Sequence, residues 1–172
     1  MKRIAFPLVM VAGIALIVAC GSDSTTPTPV SKIVTLKATM AGANESPAVT
    51  SPATGTFTAT LDTSTNVFTF DVTYTGLVAN STAGHIHGPF VPGTAGTAVV
   101  ILNFATLAGS TLTVGATSGT AHGQVTLNAA TQISTTVNGD SLKKLILAGL
   151  TYANVHSTTN PGGEVRGQIT IQ

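Results

Sequence analysis

The sequence is poor in charged residues, in aromatic residues and in cysteine. Of its 172 residues, 8% are charged and 5% are aromatic, and it contains one cysteine and no tryptophan. Coiled coils, long helical bundles and disordered charged tails all need many Lys, Arg, Asp or Glu residues, so the composition argues against these classes. The seven basic residues are scattered, which argues against a nucleic-acid partner. Threonine, with about thirty copies, is over-represented. The length of the chain is sufficient for one domain.

The amino-terminal residues have the pattern of a secretion signal. Two basic residues precede an apolar run that is too short to span a bilayer comfortably and that ends in Ile17-Val18-Ala19-Cys20. This ending resembles the lipobox of bacterial lipoproteins, which implies cleavage before Cys20 and attachment of diacylglycerol to its sulfur. The expected regions are a lipoprotein signal peptide at 1–19, a lipidated Cys20 with a flexible Ser/Thr/Pro tether through 20–32, and a folded domain at 33–172.

The same resemblance implies a location at the cell envelope. The protein is expected to be secreted across the inner membrane and anchored to a membrane through the lipid on Cys20. Gly21, rather than Asp, after the cysteine favours the outer membrane, facing the periplasm or the cell surface. Lipidation would consume the single thiol, so we expect no disulfide, no cysteine nucleophile and no cysteine metal ligand.

From residue 33 onward, polar and apolar residues alternate with a period of two, which is typical of half-buried β-strands. Polar turn residues between the apolar segments, such as 63–66, predict antiparallel hairpins. We therefore expect an all-β fold, an antiparallel Greek-key-like sandwich or barrel of about eight strands. The predicted strands are 34–40, 56–61, 67–74, 84–87, 98–104, 123–127, 151–156 and 164–171.

One segment departs from this alternation. Asp140 precedes apolar residues with helical spacing, and Gly149 follows them. This spacing predicts one short helix, with Asp140 as the N-cap and Gly149 at the carboxyl end, packed against one end of the sandwich. Lys143 and Lys144 are expected on the solvent-exposed face of this helix.

Three separate motifs resemble the CHRD (chordin) domain family. The resemblance covers residues 34–171, and it departs from the family at Ser46, where an apolar residue is usual, and at Pro47, where two prolines are frequent. It implies an extracellular all-β module that occurs in animal chordin and in secreted or lipid-anchored bacterial proteins. Enzymatic activity is not part of what this family implies. The motifs are Gly42-Ala43-Asn44-Glu45-Ser46-Pro47 with Thr54-Gly55-Thr56, His85-Ile86-His87-Gly88-Pro89, and Tyr152-Ala153-Asn154-Val155-His156 followed by Pro161-Gly162-Gly163-Glu164-Val165-Arg166-Gly167-Gln168-Ile169.

Three of the four histidines are candidates for a metal site. His85 and His87 are two residues apart on one predicted strand, so their side chains project from the same face about 7 Å apart. His156 lies on another predicted strand, and the three imidazoles would converge if the two strands were neighbours. Three histidines with an open coordination position suit copper or zinc. The layout is also similar to the Cu/Zn superoxide dismutase barrel, but the bridging histidine, the zinc loop and the disulfide of that enzyme have no counterpart.

The same histidines could instead form a structural polar network. Glu164 and Arg166 fall on one face of the last predicted strand, where they could pair with each other and hold His85 or His156 in one tautomer. His122 matches no motif and is expected at the surface or in a loop.

Motifs for catalysis are absent from the sequence. It has no nucleophile elbow, no phosphate-binding loop and no carboxylate pair with the spacing of a hydrolase. The first expectation is therefore a lipid-anchored, non-catalytic CHRD-domain binding module, with a protein or glycan partner and no catalytic residue. A copper- or zinc-binding protein that uses His85, His87 and His156 is the first alternative, and a structural or adhesive surface protein is the second.

Overall fold

The computed structural model describes residues 32–90, 99–106 and 109–172. The predicted signal peptide, Cys20 and nearly all of the tether lie outside the described residues. Within the described ranges, no helix is both long enough and apolar enough to cross a lipid bilayer.

The described chain contains ten β-strands and one α-helix, and a short 3-10 turn, Gly42–Asn44, follows the first strand. Short polar and glycine-containing segments separate most of these elements, as the sequence pattern predicts. In chain order they are β1 Ile33–Ala41, β2 Thr54–Asp62, β3 Val67–Thr75, β4 Ser81–Gly88, β5 Val99–Asn103, β6 Thr111–Leu112, β7 Gly119–Thr126, α1 Gly139–Leu147, β8 Tyr152–Ser157, β9 Val165–Gln168 and β10 Thr170–Ile171.

All ten strands belong to one antiparallel sheet, which curls into a half-barrel. Its strand order is β5-β4-β8-β9-β1-β2-β3-β7-β6, and β10 also pairs with β1. The predicted hairpin turn between β2 and β3 is confirmed: Ser64 donates its backbone N–H to Asp62 Oδ1 at 2.8 Å, and Asn66 adopts a φ of 60°. Asparagine tolerates this left-handed conformation better than most residues. The all-β antiparallel fold expected from the sequence is therefore confirmed.

The period of two decides which side chains enter the core. Phe57, Phe68 and Phe70 are fully buried on the inner face of β2 and β3, and the Phe70 ring also contacts Phe104 with a centroid distance of 5.0 Å. Burial of each such side chain contributes about 1.5–3 kcal/mol, so these rings are a main source of stability. The outer face of the same strands is exposed and rich in threonine; one row across four strands consists of Thr39, Thr56, Thr73 and Thr120.

The predicted helix is present, but its N-cap differs from the expectation. The Asn138 side chain accepts a hydrogen bond from the Ser141 backbone N–H at 3.0 Å, so Asn138 is the N-cap. The prediction of Asp140 in this role was wrong. Asp140 lies in the first turn, where its carboxylate stabilises the positive end of the helix dipole and pairs with Lys143 at 3.3 Å. Asn and Asp are nearly equal as N-caps, so the sequence alone did not distinguish them.

The rest of the helix follows the expectation. Leu142 and Ile146 are fully buried in the core, and Gly149 adopts a φ of 68° just beyond the carboxyl end. Lys144 is exposed, as predicted for both lysines, whereas Lys143 is half-buried and donates to Asn66 Oδ1 at 3.0 Å. The helix is thus attached to the β2–β3 turn by a hydrogen bond as well as to the core by apolar contacts.

The last predicted strand, 164–171, is interrupted in the structure. It divides into β9 and β10 at Ile169, whose backbone N–H donates to Thr151 O at 2.9 Å. Glu164 lies just before β9 rather than within it. This interruption, together with the two-residue strand β6, accounts for ten strands where about eight were expected.

Candidate metal centre

His85 and His87 on β4 and His156 on β8 lie on one polar face of the sheet, which β9 shares through Arg166. Because paired residues in an antiparallel sheet point to the same side, the pairing of His85 with Asn154, and of Asn154 with Arg166, places these three side chains on one face. The opposite face of the same strands carries residues of the apolar core, such as Ile86 and Val155. All six residues of β8 are buried, so both faces of this strand are covered.

The structure brings the three predicted histidines together. His85, His87 and His156 each offer one ring nitrogen, and these three atoms lie within 4.8 Å of one another. His87 and His156 are 7% and 8% exposed, while His85 is intermediate between buried and exposed. The cluster is therefore a nearly buried group of imidazoles that can be approached from the His85 side.

Hydrogen bonds define which nitrogen carries the proton in His85 and in His156. His156 Nδ1 lies 2.9 Å from the carbonyl oxygen of Pro161, which can only accept, so His156 Nδ1 donates. The Nε2 atom of neutral His156 is then an acceptor, and His85 Nδ1, which lies 2.9 Å from it, donates. A backbone carbonyl that orients a ring through its second nitrogen is a common feature of histidines that bind metals.

The surroundings favour the neutral form of these rings. Burial, together with the neighbouring His156 and His87, lowers the pKa of His85 from 6.5 to about 4. Burial also lowers the pKa of His156, although the hydrogen bond to Pro161 acts in the opposite direction. Because metal ions bind neutral imidazole, an ion can bind at neutral pH without a net loss of protons from His85 and His156. His85 would then change tautomer, with its proton moving from Nδ1 to Nε2.

The spacing of the nitrogens is suitable for a single transition-metal ion. Two nitrogens bound to one tetrahedral Zn(II) at about 2.0–2.1 Å lie roughly 3.3 Å apart. The observed range, from 2.9 Å between His85 and His156 up to 4.8 Å within the cluster, brackets this value. Small rotations of the rings would therefore bring three ligands onto one ion, with the fourth position left open.

Arg166 is part of the same polar face, but it does not contact the carboxylate that the sequence suggested. Its guanidinium carbon lies 3.6 Å from the centroid of the Tyr152 ring and 3.9 Å from that of Phe90, and the side chain is 6% exposed. The Tyr152 ring is in turn stacked on His87, with centroids 5.0 Å apart and planes 15° apart. Cation–π contacts thus hold the arginine charge close to the histidine cluster.

Glu164 has a structural role elsewhere in the fold. Its Oε1 atom accepts hydrogen bonds from Ser51 Oγ and from the Val78 backbone N–H, both at 2.7 Å. Burial alone would raise the pKa of this carboxyl group, but hydrogen bonds outweigh it and lower the pKa; those from the side chains of Ser157 and Ser51 are the largest. Glu164 therefore joins loops, and the expected pairing with Arg166 is replaced by these contacts.

Glu45, a residue of the first motif, is a further component of this site. Burial raises the pKa of its carboxyl group from 4.5 to about 7, against the lowering effects of the Arg166 charge, of the Asn154 side chain and of the Ser46 backbone N–H. Gly163 lies beneath it with a φ of 128°, and a Cβ at this position would collide with Glu45 Oε1 and with the Asn154 amide. Only glycine fits here.

The fourth histidine is outside this site, as expected. His122 lies on β7, and its Nδ1 atom is 2.8 Å from Asp71 Oδ1 on β3, with both side chains more than half exposed. Tyr152 and Asn154 lie on the same strand as His156, and their spacing from it is a signal that the sequence carries. On a strand, residues 152, 154 and 156 must share one face, so two polar neighbours of His156 could have been predicted.

Comparison with known proteins found a family match. The family model described as the CHRD domain matches residues 36–169, which include the histidine cluster, Glu45 and Arg166. No curated protein and no solved structure matches the chain.

Proposed function

The chain belongs to the CHRD domain family, and we propose that this member is a non-catalytic binding module that binds one copper or zinc ion. The ligands are His85, His87 and His156. The single observation that supports this proposal is the convergence of three ring nitrogens within 4.8 Å on adjacent strands.

The arrangement serves binding rather than turnover. The three ligands project from β4 and β8, which are held in register by backbone hydrogen bonds, so the site is formed before the ion arrives. The lowered pKa values of His85 and His156 remove proton competition at neutral pH. Storage or delivery of the ion at the cell envelope is the role that fits such a site.

The proposal includes the location expected from the amino terminus. A lipid on Cys20 would hold the module at a membrane through the Ser/Thr/Pro tether. Mass spectrometry of the membrane fraction would detect a diacylated peptide that begins at Cys20. A mature chain that begins elsewhere would contradict the anchor without affecting the metal site.

Calorimetric titration with Cu(II) and with Zn(II) tests the metal site. All proteins carry Cys20→Ser, because a free thiol would bind the same ions. We expect one ion per chain and an affinity that falls at least tenfold, or about 1.4 kcal/mol, in His85→Ala and in His156→Ala. The matched control is His122→Ala, which removes a histidine outside the cluster and should leave the affinity unchanged.

A structural polar network would give a different result. In that case no ion binds with one-to-one stoichiometry, and His156→Ala lowers the stability of the metal-free protein by about 1–3 kcal/mol because Pro161 O and His85 Nδ1 lose their partner. Absence of saturable binding, or equal weakening by His122→Ala and His85→Ala, would overturn the proposed function.

A further inference from the structure

The proposed ion would leave the site with an excess of positive charge. Three neutral imidazoles contribute no negative charge to balance a divalent ion. The guanidinium of Arg166 adds a further positive charge close to the cluster, and the carboxyl group of Glu45 offsets part of it only when it is ionised. A buried charge without compensation is costly, so a group that neutralises part of it is expected to bind.

The access to the site limits what this group can be. His87 and His156 are more than nine-tenths buried, whereas His85 is only partly covered. Three protein ligands leave one coordination position for a ligand from solvent. A ligand that enters beside His85 must therefore be small and must bind through a single atom.

Arg166 is close enough to the histidine cluster for its charge to affect the binding of an anion there. Its guanidinium packs over the rings of Phe90 and Tyr152. Since the Tyr152 ring also stacks on His87, a single aromatic ring links the guanidinium to the histidine cluster. The side chain is 6% exposed, which reduces screening by water and salt. At an effective dielectric constant of about 20, such a charge changes the affinity of an anion at the cluster roughly tenfold.

From these observations we infer that the ion-loaded site binds a small monovalent anion at its open position, and that the charge of Arg166 strengthens this binding. The inference rests on the proposed function, because the anion binds to the metal ion. It assigns Arg166 a positioning and electrostatic role toward a ligand, in addition to its packing on Phe90 and Tyr152.

Azide titration of the Cu(II)-loaded protein tests this inference. Azide is the probe because its binding to Cu(II) produces a charge-transfer absorption band. All proteins carry Cys20→Ser. The wild-type site should give a saturable band, Arg166→Met and Arg166→Gln should each bind azide about tenfold more weakly, and Arg166→Lys should retain most of the affinity because it keeps the charge. Lys37→Met is the matched control, since it removes one exposed cation from β1, and it should bind azide as the wild type does.

The outcomes separate the two proposals. Failure of the wild type to bind copper overturns the proposed function and this inference with it. Copper binding without a saturable azide band overturns the anion site alone, and equal azide affinity in Arg166→Met and the wild type overturns the role of Arg166.

Discussion

Two groups at the site should respond to acid in opposite directions. The pKa of His85 is lowered from 6.5 to about 4 in the folded protein. As the pH decreases below 6.5, the unfolded chain takes up this proton before the folded protein does, so the stability decreases. The pKa of Glu45 is raised to about 7, so the folded protein binds this proton first. Its contribution to stability is full below pH 4.5 and is lost as the pH rises through 7.

The two effects are similar in size. With the stated pKa values, each changes the free energy of unfolding by about 2 kcal/mol between pH 7.5 and pH 5. Both side chains are partly exposed, and screening by solvent reduces each effect to about 1 kcal/mol. In the wild type the contributions of Glu45 and His85 largely offset each other.

Urea denaturation of the metal-free protein at pH 7.5 and pH 5, followed by far-UV circular dichroism, separates the two groups. When the pH is lowered from 7.5 to 5, the change in unfolding free energy should be about 1 kcal/mol more negative in Glu45→Gln than in the wild type. In His85→Asn, which keeps a donor near the position of Nδ1, it should be about 1 kcal/mol more positive. Either difference corresponds to roughly 0.5 M urea at the midpoint. Identical pH dependence in all three proteins would refute the electrostatic account of the site.

Three further predictions concern single positions. Gly163→Ala should lower stability by about 1–3 kcal/mol in thermal or urea denaturation because its backbone is left-handed and its Cβ would meet Glu45, whereas Gly162→Ala, with open space around it, should change stability by less than about 0.5 kcal/mol. Asn138→Ala should cost about 1 kcal/mol as the loss of an N-cap, and a larger loss in Asp140→Ala would contradict the assignment of the cap. His122→Ala should change stability by less than about 0.5 kcal/mol, since its hydrogen bond to Asp71 is exposed; a double-mutant cycle with Asp71 that gives a larger coupling would contradict this.

The strands were predictable where one face is buried and the other is exposed to water. In β2 and β3 the alternation of phenylalanine with threonine matches the period of the backbone, and the structure buries Phe57, Phe68 and Phe70 as expected. The alternation is less informative in β8, where polar Asn154 and His156 are buried as well. Loops cover the polar face of this strand, and no local pattern encodes that cover.

The helix illustrates a second limit of local pattern. Its existence, its buried positions and its terminal Gly149 followed from spacing, but its first residue depended on a choice between Asn138 and Asp140. Two residues of nearly equal capping preference lie two positions apart, and only the structure identifies Asn138 as the one that caps the helix. The interruption of the last strand at Ile169 was likewise not predictable from local pattern, because the Ile169 N–H donates to the carbonyl oxygen of Thr151, which is distant in the sequence.

The amino-acid sequence by itself determined the fold class, most strand positions and the pairing of His85 with His87 on one face, because these follow from the geometry of a single strand. Tertiary structure alone decided that β8 lies beside β4, which brings His156 to within hydrogen-bonding distance of His85. It also decided that Arg166 packs on aromatic rings while Glu164 binds loop residues. Strand order and loop placement depend on contacts between residues far apart in the chain, and these contacts leave no local period in the sequence.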